Sequence, residues 1–245
     1  MRNAFCALFL TMFATVPAFA GSTNFSFAFG GPDMTLGTSQ SYMSNGATIT
    51  AYGYQCSAAS PSSTETLSGC NPSALYQKND SSVEFGLGLA GESEHEIGWD
   101  GATADFVIGL DVSSLLKLGA TSMTLSFGSV QPGEAYAIFG YGSNPFAGSV
   151  MLSGHLVDGQ LVGNDGSTSA QVFSSTIGLN ASDEFLVFTS PCSAAAPGSP
   201  LDCGGNVTLG SLTATTPEPG TLALFVTGLL ALGFCMRKRL AFQRQ

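Results

Sequence analysis

The chain has 245 residues, of which 44% are hydrophobic and only 10% charged, with 17 Asp and Glu against 7 Lys and Arg. Between Gly21 and Thr216 only Lys78 and Lys117 stand against sixteen carboxylates, a formal charge of 2 − 16 = −14. A field of that sign repels phosphate backbones and anionic headgroups, which argues against a nucleic-acid partner.

Arg2 opens the chain, and an apolar run follows from Ala4 to Val16 before Pro17 and the triplet Ala18-Phe19-Ala20. One early charge, a short apolar run and a small-residue end predict a secretory signal peptide over 1–20, cut between Ala20 and Gly21. The run is too short to cross a bilayer as a permanent span.

From 21 to 213 the chain reads as strands and turns. In "NFSFAFGG" the residues Phe25, Phe27 and Phe29 alternate with small or polar ones and load one face of a strand. "ATITAYGYQC", "ADFVIGLDV", "TSMTLSFGSV", "EAYAIFGYG", "SVMLSGHLVDGQLVG", "AQVFSSTIGL", "DEFLVFTS" and "NVTLGSLTA" carry the same β-branched and aromatic enrichment between Gly, Pro, Asn and Asp clusters. Within them, Asp158-Gly159 predicts a two-residue hairpin turn. One short helix is predicted in "DVSSLLKLG", with Asp111 at its start, Leu115, Leu116 and Leu118 as apolar positions and Gly119 as its stop. Many short strands, no helical crossovers and no fixed internal period predict an all-β fold. The expected form is an antiparallel β-sandwich of jelly-roll type with one short helix.

Cys56 and Cys70, and again Cys192 and Cys203, enclose loops rich in Ser, Pro, Ala and Gly. In an oxidising compartment four cysteines allow three pairings, and the local one, Cys56 to Cys70 and Cys192 to Cys203, closes the shortest loops. No C-x-x-C spacing or nearby His supports a zinc site at either pair.

Catalytic signatures are sparse: no G-x-S-x-G elbow or phosphate-cradling loop occurs, and no catalytic residue or cofactor is assigned. "HEIGW" begins like H-E-x-x-H but places Trp99 where the second ligand would be, and His155 falls in a strand-like stretch. The most chemical-looking patch is "GESEHEIGWDG". Extended, it would project Glu92, Glu94 and Glu96 from one face near Asp100, and a divalent cation would relieve their repulsion. Hard oxygen ligands favour calcium. The competing reading is a solvated acidic edge that blocks strand addition. Trp99 and Tyr52, Tyr54, Tyr76, Tyr136 and Tyr141 are the flat faces available to a sugar, and they serve equally well as strand packing.

The tail begins with Pro217-Glu218-Pro219 inside a Pro-rich linker, 214–220, followed by a run without charge, 221–236, and the cluster Arg237-Lys238-Arg239 in a basic tail, 237–245. At helical rise the run covers roughly 24 Å, near the thin limit for spanning a bilayer. The positive-inside rule then leaves the cluster cytoplasmic and the acidic domain outside.

This order of parts resembles the PEP-CTERM sorting signal of Gram-negative bacteria. In that family a Pro-Glu-Pro motif, a short transmembrane helix and a basic cluster end exported proteins whose tails are processed by a membrane transpeptidase, an exosortase. The stretch "GLGLAGESEHEIG", Gly86 to Gly98, is similar to a segment common in that group's ectodomains, with Leu89 in place of the usual valine and glutamates where aspartates are common. The resemblance implies that Pro217, Glu218 and Pro219 form the recognition motif and that Arg237, Lys238 and Arg239 form the stop. It implies an inner-membrane-anchored precursor, then a periplasmic, cell-surface or extracellular product associated with exopolysaccharide, the envelope or a biofilm matrix. The tail is an address carried by many domains, so the ectodomain's role is argued from its own residues. The expectation is a non-catalytic structural or exopolysaccharide-associated module, and the alternative is a polysaccharide hydrolase or lyase using the acidic segment.

Overall fold

Phe25, Phe27 and Phe29 are buried while their neighbours in the strand are exposed, so the first alternating stretch behaves as its pattern predicts. The structure, a computed structural model, describes residues 22–57, 68–99, 104–131, 134–147, 154–161, 170–190 and 206–216, all but two of them in one compact unit, Asn24–Thr216. The signal peptide with Ala20 and Gly21, the Cys192 to Cys203 pairing, Asp100, the Pro217-Glu218-Pro219 motif, the apolar run and the basic cluster lie outside the described residues.

The elements in chain order are β1 (Asn24–Ala28), β2 (Met34–Thr35), β3 (Ser39–Ser44), β4 (Ala47–Ser57), β5 (Ser68–Pro72), β6 (Leu75–Asn79), β7 (Phe85–Leu89), β8 (Ile97–Trp99) and β9 (Ala104–Asp111). Then come α1 (Ser113–Lys117), β10 (Ser122–Val130), β11 (Ala135–Tyr141), β12 (His155–Leu161), β13 (Gln171–Gly178), β14 (Phe185–Thr189) and β15 (Asn206–Thr215). Every ladder among them is antiparallel. One sheet runs β13-β10-β15-β1, with β7, β6 and β2 joined through Leu209 of β15 opposite Leu87 of β7. The other runs β12-β11-β14-β9-β4-β3, with β5 on β4 and β8 on β9. Strand β15 serves both sheets: Asn206 and Val207 pair with β8, and Thr208 to Thr215 pair with β10. The fold is the expected antiparallel β-sandwich.

Between the sheets lies the main core, which includes Phe25, Phe27, Ile49, Leu87, Ile108, Leu125, Phe127, Ile138, Phe188 and Leu212. A second apolar cluster covers the other face of the second sheet, with Tyr54, Val107, Phe139, Tyr141, Phe185 and Val187. All of β11 and all of β14 are therefore buried on both faces, which explains why "AYAIFGY" and "FLVFT" read as unbroken apolar runs instead of alternating ones.

The predicted helix is present and shorter than its sequence signal. Its N-cap is Val112 and not the expected Asp111, which ends β9; no side chain caps the helix, although Asp111 Oδ1 accepts the Ser113 N–H at 3.0 Å from one residue before the cap. At the exit Gly119 takes φ +88, its N–H bonds the Leu116 carbonyl at 2.9 Å and the Ala120 N–H bonds the Leu115 carbonyl at 3.0 Å. That paired exit is a Schellman motif and requires the left-handed conformation that glycine adopts freely. Of the three leucines only Leu115 is buried.

Three expectations are corrected. Asp158-Gly159 does not turn the chain, because both residues lie inside β12 opposite Ile138 and Ala137, next to a register shift at Ile138/Phe139. The residue left unpaired by that shift is Val157, and Asp158 and Gly159 continue the ladder beyond it. Short strands β2, β3 and β5 to β8 escaped the pattern, and β15 runs to Thr215, two residues beyond the expected end of the domain at 213. The local disulfide Cys56–Cys70 is formed, closing a separation of 14 residues. In the chain-entropy account such a bridge stabilises by about 3 kcal/mol.

Candidate functional site

The acidic stretch does not extend. Between β7 and β8 the chain turns, with the Glu92 N–H on the Leu89 carbonyl at 3.3 Å and the His95 N–H on the Glu92 carbonyl at 3.2 Å. Gly88 makes this possible, since a Cβ there would lie 2.0 Å from the His95 carbonyl oxygen. His95 itself sits at φ 61, and its ring stacks on Tyr76 with centroids 4.0 Å apart.

The turn places each carboxylate differently, which overturns the shared-face arrangement expected of Glu92, Glu94 and Glu96. Glu92 is only 4% exposed and folds back on its own backbone: Oε2 accepts the N–H of Glu94 at 2.6 Å and of Glu96 at 3.2 Å, and Oε1 accepts the Ser93 hydroxyl at 2.9 Å. Glu94 is exposed. Glu96, 2% exposed, points at β6 and β10, where its Oε1 accepts from Lys78 Nζ at 2.5 Å and from the Ser129 hydroxyl at 2.5 Å. Among the described residues no group of three or more His, Cys, Asp or Glu is placed to hold a metal ion. The physical reason is competition: backbone N–H groups, an ammonium and two hydroxyls already occupy the carboxylates a cation would need.

Burial pushes the Glu96 carboxyl up, with the Lys78 and Ser129 hydrogen bonds pulling it back part of the way. Burial pulls the Lys78 ammonium down, and the Glu96 bond and charge with the Asp80 and Glu84 charges outweigh it, so its value is raised. Asp80 Oδ2 lies 3.6 Å from Lys78 Nζ. Lys78 and Tyr76 share the face of β6 turned away from Leu75, so the turn covers the pair from outside the main core. Sequence reasoning missed both partners of Glu96. Lys78 had a signal, because it is one of only two cations between Gly21 and Thr216 and a lysine needs a carboxylate when buried. Ser129 had none, since its place depends on a left-handed backbone (φ 60) at the irregular end of β10.

The other candidates disperse. His155 lies on β12 with Nε2 3.4 Å from Asp183 Oδ1; the Asp183 carboxylate is fully buried and accepts the Asn180 N–H at 2.9 Å, which makes it a turn-holding group. Tyr136 belongs to the main core, stacked on Phe127 at 4.5 Å, and its hydroxyl donates to Asp158 at 3.0 Å; burial pushes it up to about 12. Tyr54 and Tyr141 are buried in the second cluster, where Asn144 Nδ2 donates to the Tyr54 hydroxyl at 2.9 Å. Of the tyrosines proposed for sugar contact, Tyr52 and Tyr76 keep partial exposure, and the Trp99 side chain lies outside the described residues. No described helix is long and apolar enough to cross a membrane; the 221–236 run lies outside the described residues.

Residues 215–239 match the PEP-CTERM protein-sorting motif. No curated protein matches the chain. Among solved structures, the K2 cleaved adhesin domain of Lys-gingipain is similar with a TM-score of 0.37 and 14% identity, covering 79% of this chain and 100% of that one. The K3 cleaved adhesin domain of the same protein, from Porphyromonas gingivalis, gives 0.37 and 11%, covering 80% and 99%. A variant of a family 29 carbohydrate binding module gives 0.26 and 11%, covering 80% and 90%. Scores this low carry no inference about ligand or activity.

Proposed function

We propose that this chain is a non-catalytic structural module of the cell envelope or biofilm matrix that associates with exopolysaccharide. The matched PEP-CTERM motif marks an exported protein, sorted to the envelope or surface and processed by an exosortase. Retention in the inner membrane before processing, and release to the periplasm, surface or exterior after it, are part of the same proposal. The observation that carries the non-catalytic reading is the state of Glu92 and Glu96. A glycosidase needs one carboxyl free to give a proton and another free to take one or to attack. Here Glu92 holds its own turn and Glu96 holds Lys78 and Ser129, so the acidic segment maintains the fold.

Cosedimentation of the exported protein with the polysaccharide of its own producing cells tests the reading, with reducing ends and unsaturated sugars measured in the same tubes. Binding without new ends is the expected result. Release of either product, abolished by Glu92→Gln, would transfer the case to the hydrolase or lyase alternative. Calcium can be scored in parallel: with Glu92 and Glu96 already occupied, chelator should leave the thermal midpoint unchanged, whereas an upward shift at millimolar calcium would restore a cation site.

A further inference from the structure

We propose that Lys78 and Glu96 become joined by an amide bond between Lys78 Nζ and Glu96 Cδ, a covalent clamp between β6 and the turn that leads into β8. Three observations place the reacting groups. The ammonium and carboxylate touch at 2.5 Å, and the two residues are 5% and 2% exposed. Ser129, itself 1% exposed, donates its hydroxyl to the same Oε1. Asp80 stands beside the amine with Oδ2 3.6 Å from Nζ and is open to solvent at 56% side-chain exposure.

The step balances without an oxidant or activating group. Nζ gives one proton to Asp80 and attacks Cδ, the Ser129 hydroxyl steadies the charge that grows on Oε1, and Oε2 departs as water with the two protons lost from nitrogen. Fixed proximity replaces the encounter of two separate groups, and a positioned hydroxyl supplies the stabilisation that oxyanion donors give elsewhere. In water the condensation runs uphill because both ions are well solvated. Here burial has already stripped that solvation from both groups, and the product removes one buried positive and one buried negative charge. The sequence separation of 18 residues means the clamp ties the acidic turn to the strand beneath it.

The exported protein, reduced and denatured, should weigh one water less than its sequence. Digestion after aromatic residues should yield a branched peptide containing both Lys78 and Glu96. Lys78→Arg, which keeps the charge and cannot condense, should return the full mass, Lys117→Arg should keep the deficit, and Ser129→Ala should slow its appearance roughly a hundredfold. Full sequence mass in the unsubstituted folded protein, with Lys78 and Glu96 recovered on two linear peptides, would overturn the proposal. Because the unsubstituted protein decides the outcome, a folding defect in a variant cannot obscure it, and neither result depends on polysaccharide binding.

Discussion

The two sheets of the sandwich turn opposite chemistry outward. On β1, β15, β10 and β13 the outward positions are Asn24 and Ser26, Ser211, Thr213 and Thr215, Ser122, Thr124 and Ser126, and Ser174 and Thr176, a hydroxyl-rich surface without a charge. On β4, β9, β14 and β11 the corresponding face holds Tyr54, Val107, Phe185, Val187, Phe139 and Tyr141, almost completely buried. An antiparallel sheet with one wet face alternates in sequence, and a sheet covered twice does not. The difference teaches that the stability of this domain is asymmetric: substitution on one outer face should unfold it, and on the other should barely register.

The largest expected effect is on the covered face. Phe185→Ala, at a ring 2% exposed, should cost about 3–5 kcal/mol in urea unfolding; a loss below ~1 kcal/mol would mean the cluster is loosely packed. Next comes the buried contact of Lys78 with Glu96 beside the first sheet. Lys78→Met leaves Glu96 a buried carboxyl with neither clamp nor cation and should also cost about 3–5 kcal/mol at neutral pH. The sign with pH follows from the carboxyl. A group whose folded-state pKa is raised is favoured below its ordinary range and loses stability as pH rises through the raised value. The penalty of Lys78→Met should therefore be greater at pH 8 than at pH 5, and an equal penalty at both would show that Glu96 is solvated. Removing the bridge beside the covered face with a Cys56→Ser, Cys70→Ser pair should cost about 3 kcal/mol. The smallest effect belongs to the hydroxyl face. Thr124→Val breaks a 2.8 Å contact with Thr176 and should change stability by less than about 1 kcal/mol. A larger loss there would erase the contrast.

How legible this was in sequence follows the same division. Where one face is wet, alternation announced the strand, as in Phe25-Ser26-Phe27 and Met123-Thr124-Leu125. Where both faces are covered, β11 and β14 could be read as strands, and nothing in them said what covers the outer side. Strand β3, "SQSYMS", is too polar to stand out, yet Asn45-Gly46 follows it with φ 47 and 84 and joins Ser44 to Ala47 in a two-residue hairpin. That dipeptide was the available signal, and Asp158-Gly159, which resembles it, runs on through a strand instead. In the acidic stretch the geometry was misread. Period-two reasoning assumes an extended chain, whereas the turn over Gly88 depends on contacts between segments distant in sequence.

Strand β15 has a mechanical consequence. It is flanked by β1, with Asn24 opposite Thr215, and by β10, with Ser122 opposite the same residue, and the sorting motif begins where it ends. Tension on the chain beyond Thr216 therefore enters along an interior strand rather than an edge. Such a load shears two ladders at once instead of unzipping one, so many hydrogen bonds must fail together before the domain yields.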